Sequence, residues 1–196
     1  MKQVIIIHGG NSFNSYESYI EDLANQEIDF ERLRPQKKWK TDLPQQMPDA
    51  DVLLPTFPNR DNAVYNEWKI YFEKLVPFFG DDVRLVGHSL GAMFLAIYLN
   101  ENKLPKTVRQ LILIAGGYND ESIEDYGSFK VETARGASKN AEKIHLFHSK
   151  DDPVVPFTEL AKYQADLPNA VSHVFEDRGH FNSETFPELL ELLKQK

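Results

Sequence analysis

The stretch Val83-Arg84-Leu85-Val86-Gly87-His88-Ser89-Leu90-Gly91, running on into Ala92–Leu99, decides how this chain folds. Val83–Val86 is a short β-branched and apolar run that suits a buried strand. Leu90–Leu99 is apolar all round, which predicts a helix enclosed on every side. Between them Gly-His-Ser-Leu-Gly gives a G-x-S-x-G pattern on a sharp strand-to-helix turn. The serine there takes unfavourable backbone angles, and side chains two residues to either side would collide, so both flanks are glycine. The Leu90 amide then lies at a helix N-terminus, where a partial positive charge can meet a developing oxyanion.

Outward from this turn, the same alternation repeats. Short apolar runs at Val4–Ile7, Val52–Leu54, Val83–Val86, Val108–Ile114, Ile144–Phe147 and Val171–Phe175 read as strands. They are continuous rather than alternating, as in parallel strands covered on both faces. Helical patterns lie between them. Asn14 with Glu17 predicts a capping-box start to a helix with Tyr16, Tyr19, Ile20 and Leu23 on one face. Tyr65, Trp68, Phe72, Leu75 and Phe79 recur at helical spacing, and Pro77 should end or kink that helix. Leu160, Tyr163 and Leu167 make a seam that stops before Pro168. Thr185 with Glu188 predicts a second capping box, with Pro187 in the first turn and Leu189, Leu190 and Leu193 behind it. This β-α rhythm means a three-layer αβα sandwich, with residues 1–196 as one domain.

Two stretches break the rhythm. Residues 29–50 carry Arg32, Arg34, Lys37, Lys38 and Lys40 beside Pro35, Pro44 and Pro48, and read as a solvated helix and loop. Residues 116–142 are mostly polar and read as a short lid or a long surface connection.

A serine needs a base, and a histidine base needs a carboxylate to orient it. There are six histidines. His180, in Asp177-Arg178-Gly179-His180-Phe181, follows the last strand, as the order Ser…Asp…His requires. His145 and His148 stand three apart on one strand and so face opposite sides, which argues against a shared metal. His173 reads as strand packing. After the strand Ile144–Phe147 two adjacent acids compete, Asp151 and Asp152. Asp152 opens the Asp-Pro-Val-Val-Pro turn and is favoured; Asp151 reads as loop-stabilising or solvated. His8-Gly9-Gly10 follows the first strand and lets a backbone amide approach a substrate oxygen. The Gly10 amide is the candidate, with Leu90 as its partner. Asn11, Phe57 and His88 are candidate substrate-binding residues, and Pro58, Asn59 and residues 116–130 candidate pocket walls. All of these fall at the C-terminal ends of strands, where open parallel sheets place their sites.

Composition excludes several classes. The chain has 196 residues, and 22 Lys+Arg against 30 Asp+Glu give a net charge of −8. Such a surface repels nucleic acid and anionic lipid. The longest apolar run, Leu90–Leu99, is too short for the ~18 residues of a membrane span. With zero cysteines there are no disulfides and no thiolate nucleophiles. Val4–Ile7 is too short for a secretory signal core, which points to the cytoplasm.

Ile7-His8-Gly9-Gly10, Gly87-His88-Ser89-Leu90-Gly91, Asp151-Asp152-Pro153, Gly179-His180-Phe181 and Phe186-Pro187-Glu188-Leu189 together resemble the α/β-hydrolase superfamily. Within it the chain is similar to the small lidless serine hydrolases, the group that includes YdeN and the retinoblastoma-binding protein nine. The resemblance implies a reduced α/β-hydrolase fold of about six mainly parallel strands in the order 2-1-3-4-5-6. It implies Ser89 as nucleophile, Asp152 as acid and His180 as base, acting on a small acyl substrate without cofactor or metal. The retinoblastoma-binding motif needs a cysteine, so that partner is not implied here. Acyl transfer with the same residues, and a non-catalytic binding protein on the same scaffold, are the alternatives.

Overall fold

The computed structural model describes residues 1–195. Lys196 lies outside the described residues, as does the side chain of Arg32, one member of the basic stretch above. Six parallel strands form one sheet: β1 (Lys2–Ile7), β2 (Ala50–Leu53), β3 (Asp82–His88), β4 (Val108–Ile114), β5 (Ala141–Ser149) and β6 (Val171–Phe175). Their order is β2-β1-β3-β4-β5-β6, as the family resemblance implies. The helices are α1 (Tyr16–Asn25), α2 (Trp39–Gln46), α3 (Tyr65–Leu75), α4 (Leu90–Glu101), α5 (Glu159–Asp166) and α6 (Pro187–Lys194).

Side chains of a strand alternate between faces, so a sheet covered on both sides needs apolar residues at every position. In β1, Ile5 and Ile7 face a core built on Trp68 and Phe72 of α3, most of α4, and Leu160 and Tyr163 of α5. Val4 and Ile6 face the opposite core, with Trp39 and Leu43 of α2 and Leu189, Leu192 and Leu193 of α6. Helix α4 is buried almost throughout, as its unbroken apolar sequence predicts. No residue of α1 is buried, and Tyr16, Ile20 and Leu23 are exposed.

Several local expectations need correction. The α1 capping box is Ser15 with Ser18, not Asn14 with Glu17. Ser15 is extended and its Oγ accepts from the Ser18 amide at 3.0 Å, while the Asn14 side chain donates to Asp125. The α6 box does not form. Phe186 is the N-cap without a side-chain hydrogen bond, and the Glu188 carboxylate is taken by Arg178 instead. Residues 39–47 are not simply solvated: Trp39, Leu43 and Met47 are buried.

The 116–142 stretch is a built connection. Tyr118, Tyr126, Phe129, Val131, Ala134 and Ala137 bury into the α4 face. Glu159, at the start of α5, is fully buried and its Oε2 accepts from the amides of Tyr118, Asn119 and Asp120 at 2.6, 2.8 and 3.0 Å.

Candidate active site

Ser89 sits directly after β3 with φ 55° and ψ −123°, a backbone region that few non-glycine residues adopt. Its amide donates to the Ile114 carbonyl at 2.8 Å, tying the turn to β4. The glycine flanks are explained by space. A Cβ on Gly87 would stand 2.5 Å from the Gly91 carbonyl oxygen, and one on Gly91 would stand 2.4 Å from that of Ile7. Strain recurs along this edge of the sheet. Ala115 after β4 and Phe181 after β6 also have positive φ, at 48° and 51°. Such outliers persist where the surroundings over-determine them.

The loop after β1 presses on the elbow: a Cβ on Gly9 would lie 3.0 Å from Ser89 Cβ. The Asn11 amide is engaged, donating to the Arg60 carbonyl at 3.0 Å. Among the described residues the Gly10 amide has no hydrogen-bond acceptor. Leu90 is the first residue of α4, where an amide has no intrahelical acceptor. The Leu90 amide thus follows Ser89 directly, and Gly10 stands one residue beyond the Gly9 that closes on it.

His180, on the loop after β6, brings Nδ1 within 2.9 and 3.1 Å of the two Asp152 oxygens. Both side chains are largely enclosed, at 8% and 0% exposure. Asp152 Oδ1 also accepts from the amides of Val154 and Val155, at 2.9 and 3.0 Å, within the Asp-Pro-Val-Val-Pro turn. With Nδ1 occupied, Nε2 is the ring nitrogen left for proton transfer. Asp151 points elsewhere. Its Oδ1 accepts from Ser149 Oγ at 2.5 Å and from the Gly179 amide at 2.8 Å, and these bonds hold its carboxyl below the usual range.

Two candidate substrate contacts are not at a free surface. Phe57 is 1% exposed, its ring packed among His8, Trp68, Tyr71 and Phe94. His88 is 3% exposed and both ring nitrogens are used, by the His180 carbonyl at 2.8 Å and by Lys40 Nζ at 2.8 Å. Asn11 does face open space, a cleft of 440 Å³ walled by Ser12 and Asp22 on one side and Ile123 and Glu124 on the other. Desolvation raises the Glu124 carboxyl above its ordinary value against the pull of nearby His180.

The other histidines are occupied in packing. The His8 Nε2 accepts from the Phe57 amide at 2.9 Å. His145 Nδ1 meets His173 Nε2 at 3.1 Å, and His173 stacks on Phe147. His148 faces the Val155 carbonyl at 3.2 Å. No group of three or more metal-ligating side chains converges among the described residues. No helix of the described residues is long and apolar enough to cross a membrane.

The serine hydrolase family profile matches residues 32–195, which include the elbow, Asp152 and His180. The chain belongs to the serine hydrolase family. It is similar to the serine hydrolase RBBP9 of Rattus norvegicus, at 28% identity over 155 residues, covering 76% of this chain and 80% of that protein. Its fold is similar to that of the ydeN gene product of B. subtilis, with TM-score 0.77 and 19% identity over 98% of this chain and 97% of that one. Est1E from Butyrivibrio proteoclasticus, with ferulic acid bound, shares the fold at TM-score 0.63 and 14% identity, covering 99% and 87%. The protein is therefore a hydrolase with an α/β-hydrolase-like fold.

What sequence reasoning missed lies around His180 rather than in it. Lys38, Trp39 and Lys40 read as part of a solvated basic stretch, yet Lys38 and Trp39 bond the loop that carries His180, and Lys40 bonds His88 of the elbow. The one local signal was a Trp embedded in polar sequence.

Proposed function

We propose that the protein cleaves small ester, thioester or amide substrates through an acyl-enzyme on Ser89. Ser89 Oγ attacks the acyl carbon while His180 Nε2 takes its proton. The amides of Gly10 and Leu90 receive the oxyanion. His180 then gives the proton to the leaving group, and a water, activated the same way, releases the acid. Asp152 holds the His180 ring with Nδ1–H towards it and stabilises the cation that forms. Each step uses a group of this chain, and none calls on a cofactor. The observation that carries this is the His180–Asp152 pair, at 2.9 Å, on the loop after β6, at the same C-terminal edge of the parallel sheet as a serine held at φ 55° after β3.

A fluorophosphonate probe tests it. Intact-mass and peptide analysis should find one adduct, on the peptide containing Ser89. Ser89→Ala should lose both the adduct and ester turnover. Labelling that survives undiminished in Ser89→Ala would leave a non-catalytic scaffold as the better account.

A further inference from the structure

The catalytic loop after β6 has no regular secondary structure between Phe175 and Pro187, so its carbonyls need partners from elsewhere. Four successive ones find them. The His180 carbonyl accepts from His88 Nε2 at 2.8 Å, and that of Phe181 from Trp39 Nε1 at 2.9 Å. The Asn182 carbonyl accepts from Lys38 Nζ at 3.0 Å, and that of Ser183 from the Trp39 amide at 3.3 Å. Three consecutive residues, Lys38-Trp39-Lys40, supply or control all four donors, because Lys40 Nζ lies 2.8 Å from the other nitrogen of His88.

The chemistry of His88 makes Lys40 the deciding member. A neutral imidazole has one donor and one acceptor nitrogen. Burial, with Lys40 and His180 close by, pushes His88 well below its ordinary value, so it is neutral. The Nε2 partner is a carbonyl, which can only accept. Nε2 therefore carries the proton and Nδ1 accepts from the Lys40 ammonium. The other tautomer would set N–H against ammonium and leave the His180 carbonyl facing a lone pair.

Lys40 is otherwise badly placed. It is the second residue of α2, where the helix dipole disfavours a cation. Burial, with Arg60 and then Lys38 repelling it, brings it down to about 7. Among the described residues no carboxylate pairs with it. Its ammonium packs 5.3 Å from the Trp39 ring and donates to His88.

We propose that Lys40 is a positioning residue for His180: by donating from Nζ to Nδ1 it locks buried His88 in the Nε2–H tautomer, which holds the His180 backbone carbonyl. The inference rests on His180 being the general base of the proposed reaction. Lys40 itself touches no reacting atom.

The test compares wild type, Lys40→Met and Lys40→Arg on p-nitrophenyl acetate, with long-range ¹H–¹⁵N spectra of the histidine rings. Lys40→Met should lower kcat roughly 10-fold, the scale of a lost supporting contact, with KM little changed. Lys40→Arg should restore most of it, since the guanidinium stays charged and can donate. The His88 ring should report Nε2–H in wild type and Lys40→Arg, and a tautomer mixture in Lys40→Met. Lys40→Met with wild-type kcat, or an unchanged His88 spectrum, would overturn the inference while leaving the hydrolase intact. A wild type that neither turns over ester nor labels at Ser89 would overturn the catalytic proposal and this role with it. Should Lys40→Met fail to fold, Lys40→Leu gives the same comparison without a donor, and a full kcat there overturns the inference equally.

Discussion

Asp151 and Asp152 are adjacent and chemically identical, yet only one can orient His180. Asp152 places both oxygens within 3.1 Å of His180 Nδ1, and two amides of its own turn hold it there. Asp151 instead ties Ser149 to Gly179 and so shapes the loop from behind. Asp152→Asn should therefore cut kcat by roughly 10⁴, the loss when the supporting acid of a triad turns amide. Asp151→Asn should cost far less in kcat and show its effect in stability. Rates for the two purified variants settle it, and equal losses would reverse the assignment. The sequence pointed to the acid that meets His180 Nδ1 because proline fixes backbone angles: Asp-Pro-Val-Val-Pro admits few shapes. It did not reveal that Phe57 and His88 are buried. His88 ends β3 and Phe57 lies in the loop four residues beyond β2, where a side chain faces either the cleft or the core, and no local pattern separates the two.

At the scale of elements, the strands and the order of the helices were readable because apolar runs have a period and a length. Caps were less so. Ser15 displaced Asn14 at α1 by a single residue, and Arg178 drew Glu188 away from the expected box at α6. Contacts made across long sequence separations leave no periodic mark, which is why Lys38-Trp39-Lys40 looked merely solvated. Glu159 is a similar case. It sits at the start of α5, and its carboxylate gathers three consecutive amides of the stretch after β4, with Lys162 beside it at 2.5 Å. That clamp makes 116–142 a fixed wall near the site. Glu159→Gln keeps an acceptor and removes the charge that three donors share. It should cost about 1.5–3 kcal/mol in urea denaturation, the range for hydrogen bonds to a charged group. Hydrogen exchange should quicken at Tyr118, Asn119 and Asp120 ahead of the rest of the chain. Exchange that stays uniform would mean the wall is held by its buried aromatics alone.

For the molecule as a whole, the histidines govern its response to acid. His8, His88, His145, His148 and His173 are each lowered from the ordinary value, with burial the leading cause in every case. His145 is brought down to about 4, with His173 and Lys143 adding to the burial. Charging such a group is harder in the folded chain than in the unfolded one, where it titrates near ~6.5. Between those values the unfolded chain binds more protons, so stability falls as pH falls. For His145 the window runs from about 6.5 down to about 4, and at pH ~4.5 the loss is on the order of 2 kcal/mol. The Asp166 carboxyl, lowered to about 2 by Tyr118, Ala134, Arg135 and Thr133, acts in a separate window below its ordinary value. Urea midpoints at pH ~7, ~5.5 and ~4.5 should therefore decline steadily, the histidines alone acting between the first two and the carboxylates joining near the last. His145→Gln keeps a polar partner for His173 and removes the titration. Its decline should be shallower than wild type by about 2 kcal/mol at the lowest of these pH values. Parallel declines in the two proteins would assign the acid sensitivity to the other buried histidines, and a flat wild-type profile would contradict the whole account.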